Sequence, residues 1–178
     1  MEYFITGGSG FIGRRLVKKL LQQEGSRIYV LMRDIHKDNL AGLYEYWQTD
    51  SERVIPVYGD LTQPMLGVAP HIPQQLKGHI DHFFHLAAIY DLNAKAALQQ
   101  QANVEGTRQA IALAEAIEAR CFHHCSSIAA AGLFDGLFRE DMFDEAEHLD
   151  MPYFQTKHEA EGIVRNECTI PWRVYRPG

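Results

Sequence analysis

Residues 6–13 of the chain read Thr6-Gly7-Gly8-Ser9-Gly10-Phe11-Ile12-Gly13, so Gly7, Gly10 and Gly13 have the spacing GxxGxxG. An apolar, strand-like run precedes this stretch, and a segment with helical spacing of its apolar residues follows it. Glycine at the first two positions lets the backbone turn tightly and approach a pyrophosphate, and glycine at the third lets the helix pack closely on the strand. The N–H groups at the start of that helix then face the phosphates. The stretch therefore predicts a dinucleotide-binding turn.

Working outward, strand-like runs alternate with longer amphipathic segments, which is the pattern of βαβ units in a parallel sheet. The predicted helices are Phe11–Gln23, Asn93–Ala119 and Tyr153–Asn166. The six predicted strands are Tyr3–Thr6, Arg27–Met32, Arg53–Tyr58, Ile80–Leu86, Cys121–Ser126 and Trp172–Tyr175. The fold class is thus α/β, a doubly wound parallel sheet of the Rossmann type, and we expect residues 1–178 to form one NAD(P)-binding domain.

The chain ends at Arg176-Pro177-Gly178, directly after the sixth predicted strand. In sheets of this kind a crossover helix or another lobe normally follows. We therefore expect a truncated protein in which the substrate-binding lobe is absent from these residues.

Composition excludes several classes of protein. The 178 residues are 46% apolar and 22% charged, as in soluble globular domains, and no apolar run approaches the roughly 20 residues that cross a bilayer. The net charge of -6 and the lack of a basic stripe argue against a nucleic-acid partner. The three cysteines lack CxxC spacing and the N-terminus lacks a secretion signal, so we expect a cytoplasmic protein.

The second predicted strand ends Leu31-Met32-Arg33-Asp34, where dinucleotide folds select between NAD and NADP. If Met32 takes the place of the acid that binds the ribose hydroxyls, Arg33 can bind a 2′-phosphate bidentately and Asp34 turns outward. This interpretation favours NADPH. A shift of two residues would place Asp34 on the ribose and favour NAD, and a solvated charged turn is the third alternative.

Two further segments follow strands at the same edge of the sheet. Asp60, in Gly59-Asp60-Leu61-Thr62, could accept a hydrogen bond from an adenine amino group, or it could be a helix N-cap. Ala87 and Ala88, in His85-Leu86-Ala87-Ala88, leave room for a ribose or form a tight turn.

Tyr153 and Lys157 lie four residues apart in the last predicted helix and so share a helix face. A lysine ammonium lowers the pKa of a nearby phenol, which lets the tyrosine exchange a proton with a substrate oxygen near neutral pH. Ser126 and Ser127 end the fifth strand, and a serine hydroxyl would hold the same oxygen. Alone, such a pair is usually a packed aromatic and a solvated lysine; after a glycine turn and a serine-bearing strand it predicts a catalytic site.

The segment Cys121-Phe122-His123-His124-Cys125 contains residue types that bind zinc. On a strand that rises about 3.3 Å per residue, the side chains at 121, 123 and 125 cannot all reach one tetrahedral ion, so we expect no metal. His79, His82 and His85, three residues apart on a predicted strand, should point to different faces and act as structural residues.

The motifs TGGSGFIG, GDLT, HLAA, NVEGT (103–107), SSIAAAG, YFQTK and YRPG occur in this order. In this order they resemble the extended short-chain dehydrogenase/reductase superfamily over essentially the whole chain. Arg33 and the segments Phe122–Gly132 and Phe138–Phe143 look most like the bacterial fatty acyl-CoA reductase and thioester reductase branch. The resemblance implies hydride transfer from NADPH to an acyl thioester such as acyl-CoA, giving an aldehyde and, after a second hydride, an alcohol.

The same resemblance implies that Ser127, Tyr153 and Lys157 are catalytic. Ser127 is selected over Ser126 because it lies five residues before Gly132, as in the family, and Ser126 stays an alternative. Ser127 and Tyr153 would bind the developing oxyanion, and Lys157 would hold the cofactor ribose and tune Tyr153. The residues expected around the cofactor are Gly7, Ser9, Gly10, Phe11, Ile12, Gly13, Arg33, Asp60, Leu61, Leu86, Ala87, Ala88, Tyr153 and Lys157.

Other functions share the glycine turn and the Ser, Tyr and Lys residues. An NAD-dependent sugar-nucleotide epimerase or dehydratase usually has an acid where Met32 lies. A 3β-hydroxysteroid dehydrogenase-like enzyme and a non-catalytic NADP-binding protein are further alternatives, and the latter often lacks the Tyr or the Lys. The apolar Ile128–Leu133 segment suits an acyl chain or a packed core. A small molecule is the expected partner, and the oligomeric state, a homo-oligomer included, stays open.

Overall fold

The structure, a computed structural model, describes residues 1–34, 39–90 and 94–178. Its centre is a six-stranded parallel sheet with the order β3-β2-β1-β4-β5-β6. The strands are β1 (Glu2–Thr6), β2 (Arg27–Met32), β3 (Val54–Tyr58), β4 (His82–His85), β5 (Phe122–Cys125) and β6 (Trp172–Tyr175). The strand order reverses between β1 and β4, and doubly wound sheets open a ligand crevice at that point. The predicted Rossmann-type α/β fold is confirmed.

Helices connect the strands. They are α1 (Phe11–Leu20), α2 (Leu40–Trp47), α3 (Ile72–Leu76), α4 (Ala96–Gln99), α5 (Gly106–Ala116) and α6 (Pro152–Glu167). A π-helical segment, Gln100–Glu105, joins α4 to α5, so that residues 96–116 form one continuous helix. Two short 3₁₀ segments lie at Pro64–Gly67 and Ile128–Ala131. Within the described ranges, every helix is too short or too polar to cross a membrane.

The strands are apolar on both faces because helices cover both sides of the sheet. Phe4, Phe83 and Phe122 share one face, where they stack with centroid distances of 4.7 and 5.5 Å and belong to a core with buried residues of α5 and α6. Tyr3 and Ile5 alternate with Phe4 and belong to a second core with Val17 of α1 and Trp47 of α2. These two cores hold the carboxyl ends of the strands in register.

Several predicted bounds differ from the observed ones. β4 covers only His82–His85, because Ile80 and Leu86 continue the hydrogen bonding, to Arg120 and Thr6, after the chain has left the ladder. His79 lies in the turn before β4, so its predicted place on a strand is wrong. The predicted helix Asn93–Ala119 begins at Ala96 and ends at Ala116, and Asn93 lies outside the described residues. Helices α2 and α3 were not predicted.

Candidate active site

A cleft of about 980 Å³ opens at the carboxyl ends of β1 to β5. Ligand pockets commonly enclose about 300–1,000 Å³, so the cleft can hold a dinucleotide. All the residues predicted to bind the cofactor or to act in catalysis line it. They are Gly7, Ser9, Gly10, Phe11, Ile12, Gly13, Arg33, Asp60, Leu61, Leu86, Ala87, Ala88, Ser127, Tyr153 and Lys157. Apolar lining residues that sequence reasoning missed are Ile89, Tyr90, Leu98 and Ala102.

The glycine turn forms one wall of the cleft. Gly7 has φ of 72°, and a Cβ there would lie 2.7 Å from the backbone N of Ala87. A Cβ on Gly13 would collide with the carbonyl oxygen of Gly7, so α1 packs against the turn only because this side chain is absent. Gly10 precedes α1 and brings no side-chain cap to its first N–H groups. A cradle that any side chain would fill, beside a helix N-terminus, fits a pyrophosphate.

The ends of β2 and β3 form the next part of the wall. Met32 is buried in the second core, whereas Arg33 is exposed and lines the cleft. Asp60 accepts hydrogen bonds from the backbone N and the Oγ1 of Thr62, both at 2.8 Å. These bonds lower the pKa of Asp60, and the charge of Arg33 acts in the same direction. Asp60 is therefore an ionised side chain that stabilises its own turn while lining the cleft.

Buried polar side chains fix the chain after β4. Thr6 Oγ1 lies 2.8 Å from His85 Nδ1, and His85 Nε2 lies 3.1 Å from Thr107 Oγ1. Asn103, in the π-helical segment, accepts from the backbone N of Ile89 at 2.7 Å and donates to its carbonyl at 3.0 Å. Burial lowers the pKa of His85 to about 3, so this residue is neutral. The NVEGT motif therefore positions the loop at 86–89, a role that was not predicted.

The Ser, Tyr and Lys side chains approach the cleft from β5 and α6. Lys157 is buried, and its Nζ donates to the carbonyl of Cys125 at 2.8 Å. Burial lowers the pKa of Lys157 to about 8, while Cys125 and Glu161 act in the opposite direction. Tyr153 lies one helical turn earlier and is half-buried. The structure thus brings a cation of reduced pKa and a phenol to one side of the cleft.

The two serines differ in their surroundings. Ser126 is buried, and its hydroxyl donates to Glu161 Oε2 at 2.7 Å. Ser127 is half-buried, and its Oγ accepts from the backbone N of Ala129 at 3.1 Å. Since an Oγ that accepts this bond keeps its own proton, Ser127 can donate a hydrogen bond to a ligand in the cleft.

Glu161 is a structural centre that sequence reasoning missed. Its fully buried carboxylate accepts from Ser126, from Arg165 at 2.8 Å and from Arg176 at 2.6 Å. Burial raises the pKa of Glu161, but the bonds from Arg176, Ser126 and Arg165 outweigh it and the net pKa is lowered. Arg176 also donates to the carbonyl of Met142 at 2.7 Å. The acid one turn after Lys157, on the same helix face, was the available signal.

Fold and site together define the class: this is an NAD(P)-binding domain of the extended short-chain dehydrogenase/reductase type. The chain belongs to the NAD-binding family described as male sterility protein, whose family model matches residues 5–178. This finding confirms the resemblance to fatty acyl-CoA reductases and thioester reductases.

Two curated relatives cover nearly the whole chain. A linear gramicidin synthase from Brevibacillus parabrevis is 34% identical over 189 residues, which are 98% of this chain and 4% of that protein. The fatty acyl-CoA reductase wat of Drosophila melanogaster is 26% identical over 219 residues, 98% of this chain and 42% of that protein. The chain therefore spans less than half the length of either relative.

Solved structures show the same fold. The terminal R domain of the myxalamid PKS-NRPS biosynthetic pathway superposes with a TM-score of 0.84 at 28% identity, covering 99% of this chain and 49% of that one. The UDP-glucuronic acid 4-epimerase of Bacillus cereus, in complex with NAD, superposes with a TM-score of 0.77 at 24% identity, covering 99% and 56%. The second likeness establishes the fold alone.

Proposed function

We propose that the chain is the NADPH-binding part of a reductase that converts an acyl thioester, such as a fatty acyl-CoA, to an aldehyde and then to an alcohol. The observation that carries the proposal is the meeting of Ser127, Tyr153 and Lys157 in the same cleft as the glycine turn. Membership of a family with reductase relatives supports it further.

The cofactor's phosphates would lie on the Gly7 turn and the start of α1, where a side chain would block them. The exposed Arg33 would bind the 2′-phosphate, because its guanidinium matches two phosphate oxygens. Asp60 would face the adenine, and the small Ala87 and Ala88 would leave room for the ribose. Arg33 next to a buried Met32 supports NADPH over NAD, since no acid occupies the ribose position of β2.

Bound NADPH supplies a hydride to the carbonyl carbon of the thioester. Ser127 and Tyr153 donate hydrogen bonds to the carbonyl oxygen as negative charge develops on it. Lys157, with a pKa of about 8, is protonated at neutral pH and stabilises the phenolate form of Tyr153. Tyr153 can therefore release a proton to the oxygen when the aldehyde is reduced.

An acyl chain would find apolar surface beside the reacting groups. Tyr90 and Leu98 line the cleft and are 81% and 47% exposed. Ile128, directly after Ser127, is 61% exposed. These exposed apolar side chains next to a polar centre suit a ligand with a long hydrocarbon part.

The test is NADPH oxidation and aldehyde formation by the chain with a fatty acyl-CoA. The variant Tyr153→Phe should lower turnover by about 10²- to 10⁴-fold, the usual contribution of a positioned acid, while NADPH still stabilises the protein. The matched control is Tyr46→Phe, on α2 and outside the cleft lining, which should keep full turnover. Full turnover by Tyr153→Phe, or no reduction by wild-type protein that binds NADPH, would contradict the proposal.

A further inference from the structure

A second group of polar side chains lies at the amino ends of β4 and β5, away from the cleft. His82 begins β4, Cys121 directly precedes β5, and His123 is the second residue of β5. Because Phe83 pairs with Phe122, His82 lies beside Cys121, and alternation places all three side chains on one face. The four residues from Cys121 to Cys125 separate this group from the cleft by about 13 Å along β5.

One ligand atom from each side chain, two imidazole nitrogens and the thiol sulfur, lies within 4.8 Å of the others. His82 Nδ1 and His123 Nε2 are 2.9 Å apart. Tetrahedral zinc, with Zn–N of about 2.0–2.1 Å and Zn–S of about 2.3 Å, needs N···N separations of about 3.4 Å and N···S separations of about 3.6 Å. Small side-chain movements would therefore bring the three atoms to ligand distances.

The surroundings of His123 also suit a ligand. Its Nδ1 lies 2.9 Å from the hydroxyl oxygen of Tyr175 on β6. Its ring is stacked on Phe84 with a centroid distance of 4.2 Å. An outer hydrogen bond and a packed ring fix the orientation of a ligating histidine and direct the other nitrogen to the metal.

Charges of both signs lie near the group. Asp81 precedes His82 and favours a cation, whereas Arg173, which pairs with His123 across β5 and β6, opposes one. Cys121 supplies the compensating negative charge, because a thiol loses its proton to solvent when its sulfur binds a metal. The thiol and His82 are both half-buried, so an ion can reach them from solvent.

We propose that His82, Cys121 and His123 form a binding site for one zinc-type divalent cation, with water as the fourth ligand. The expectation of no metal considered Cys121, His123 and Cys125 on a single strand. In the structure, His82 of the neighbouring strand takes the place of Cys125. The ion would link β4 to β5 and, through Tyr175, to β6.

The experiment titrates untagged, chelator-treated protein with Zn²⁺ against a chromophoric chelator, and with Co²⁺ to detect a thiolate charge-transfer band. One ion should bind per chain. Cys121→Ser should abolish the thiolate band and His82→Ala should weaken Zn²⁺ binding, both by more than Tyr175→Phe, for which the loss of an outer partner predicts about 10- to 100-fold. Circular dichroism establishes that each variant is folded.

Matched controls are Cys168→Ser and His79→Ala, which change the same residue types outside the group and should keep wild-type affinity. The proposal is overturned if wild-type protein binds Zn²⁺ no more tightly than His82→Ala. It is equally overturned if the control variants lose as much affinity, or if bound Co²⁺ shows no thiolate band.

Discussion

Replacing Lys157 with methionine should stabilise the protein at neutral pH. Lys157 is 3% exposed, and burial lowers its pKa from 10.5 to about 8. One pH unit between the folded and unfolded pKa is worth about 1.4 kcal/mol, so keeping the ammonium folded costs about 3 kcal/mol below pH 8. Methionine removes this cost and also the hydrogen bond to Cys125, worth about 1 kcal/mol. The net gain is about 2 kcal/mol.

The gain should depend on pH in a defined direction. Between pH 8 and 10.5 the unfolded chain binds a proton that the folded wild type has already released, so wild-type stability rises with pH in this window. The advantage of Lys157→Met should therefore shrink and then reverse, because only the lost hydrogen bond remains.

Urea unfolding of both proteins at about pH 7, 8.5 and 10 measures this difference, and titrations common to both cancel. The exposed Lys19→Met is the control and should show no such trend. A Lys157→Met variant that is less stable at about pH 7, or a difference that stays constant with pH, would refute the reasoning. We also expect this variant to lose its stabilisation by NADPH.

Three further changes test other parts of the structure. Arg33→Ala should weaken NADPH binding by about 10- to 100-fold, the worth of charge-assisted bonds to phosphate, and leave NADH binding nearly unchanged, as measured by calorimetry; equal losses would contradict the proposed role. Glu161→Gln should destabilise the protein by about 3–5 kcal/mol in urea, because it leaves two buried guanidinium groups without their carboxylate; a loss below about 1 kcal/mol would show that the pairs contribute little. His124→Leu should raise stability by about 1 kcal/mol, because both buried ring nitrogens of His124 lack a hydrogen-bond partner among the described residues; a decrease in the same unfolding assay would contradict this.

The sequence was informative where periodicity and order along the chain decide the structure. The alternation of apolar runs predicted all six strands, and the glycine spacing predicted which turn forms the cleft. Helix α2 escaped prediction because Gly42 interrupts a short amphipathic segment, and α3 because it has only five residues. Such elements form through tertiary packing rather than local propensity.

Contacts between distant segments were beyond reach of patterns along the chain. Glu161 meets Arg176, 15 residues later, only because α6 packs beside the end of β6. His82 and His123 are 41 residues apart and become neighbours through the pairing of β4 with β5. Reasoning confined to one strand therefore left out His82 as a partner of Cys121.

Thermal unfolding of the purified chain with NADPH and NADH in parallel tests the central claim most directly. A ligand at about 100 times its dissociation constant adds about 2.7 kcal/mol to a protein that binds it only when folded. We expect a clear stabilisation by NADPH and a smaller one by NADH at equal concentration. Equal or greater stabilisation by NADH, or no effect of either cofactor on a folded chain, would contradict the account of the cleft.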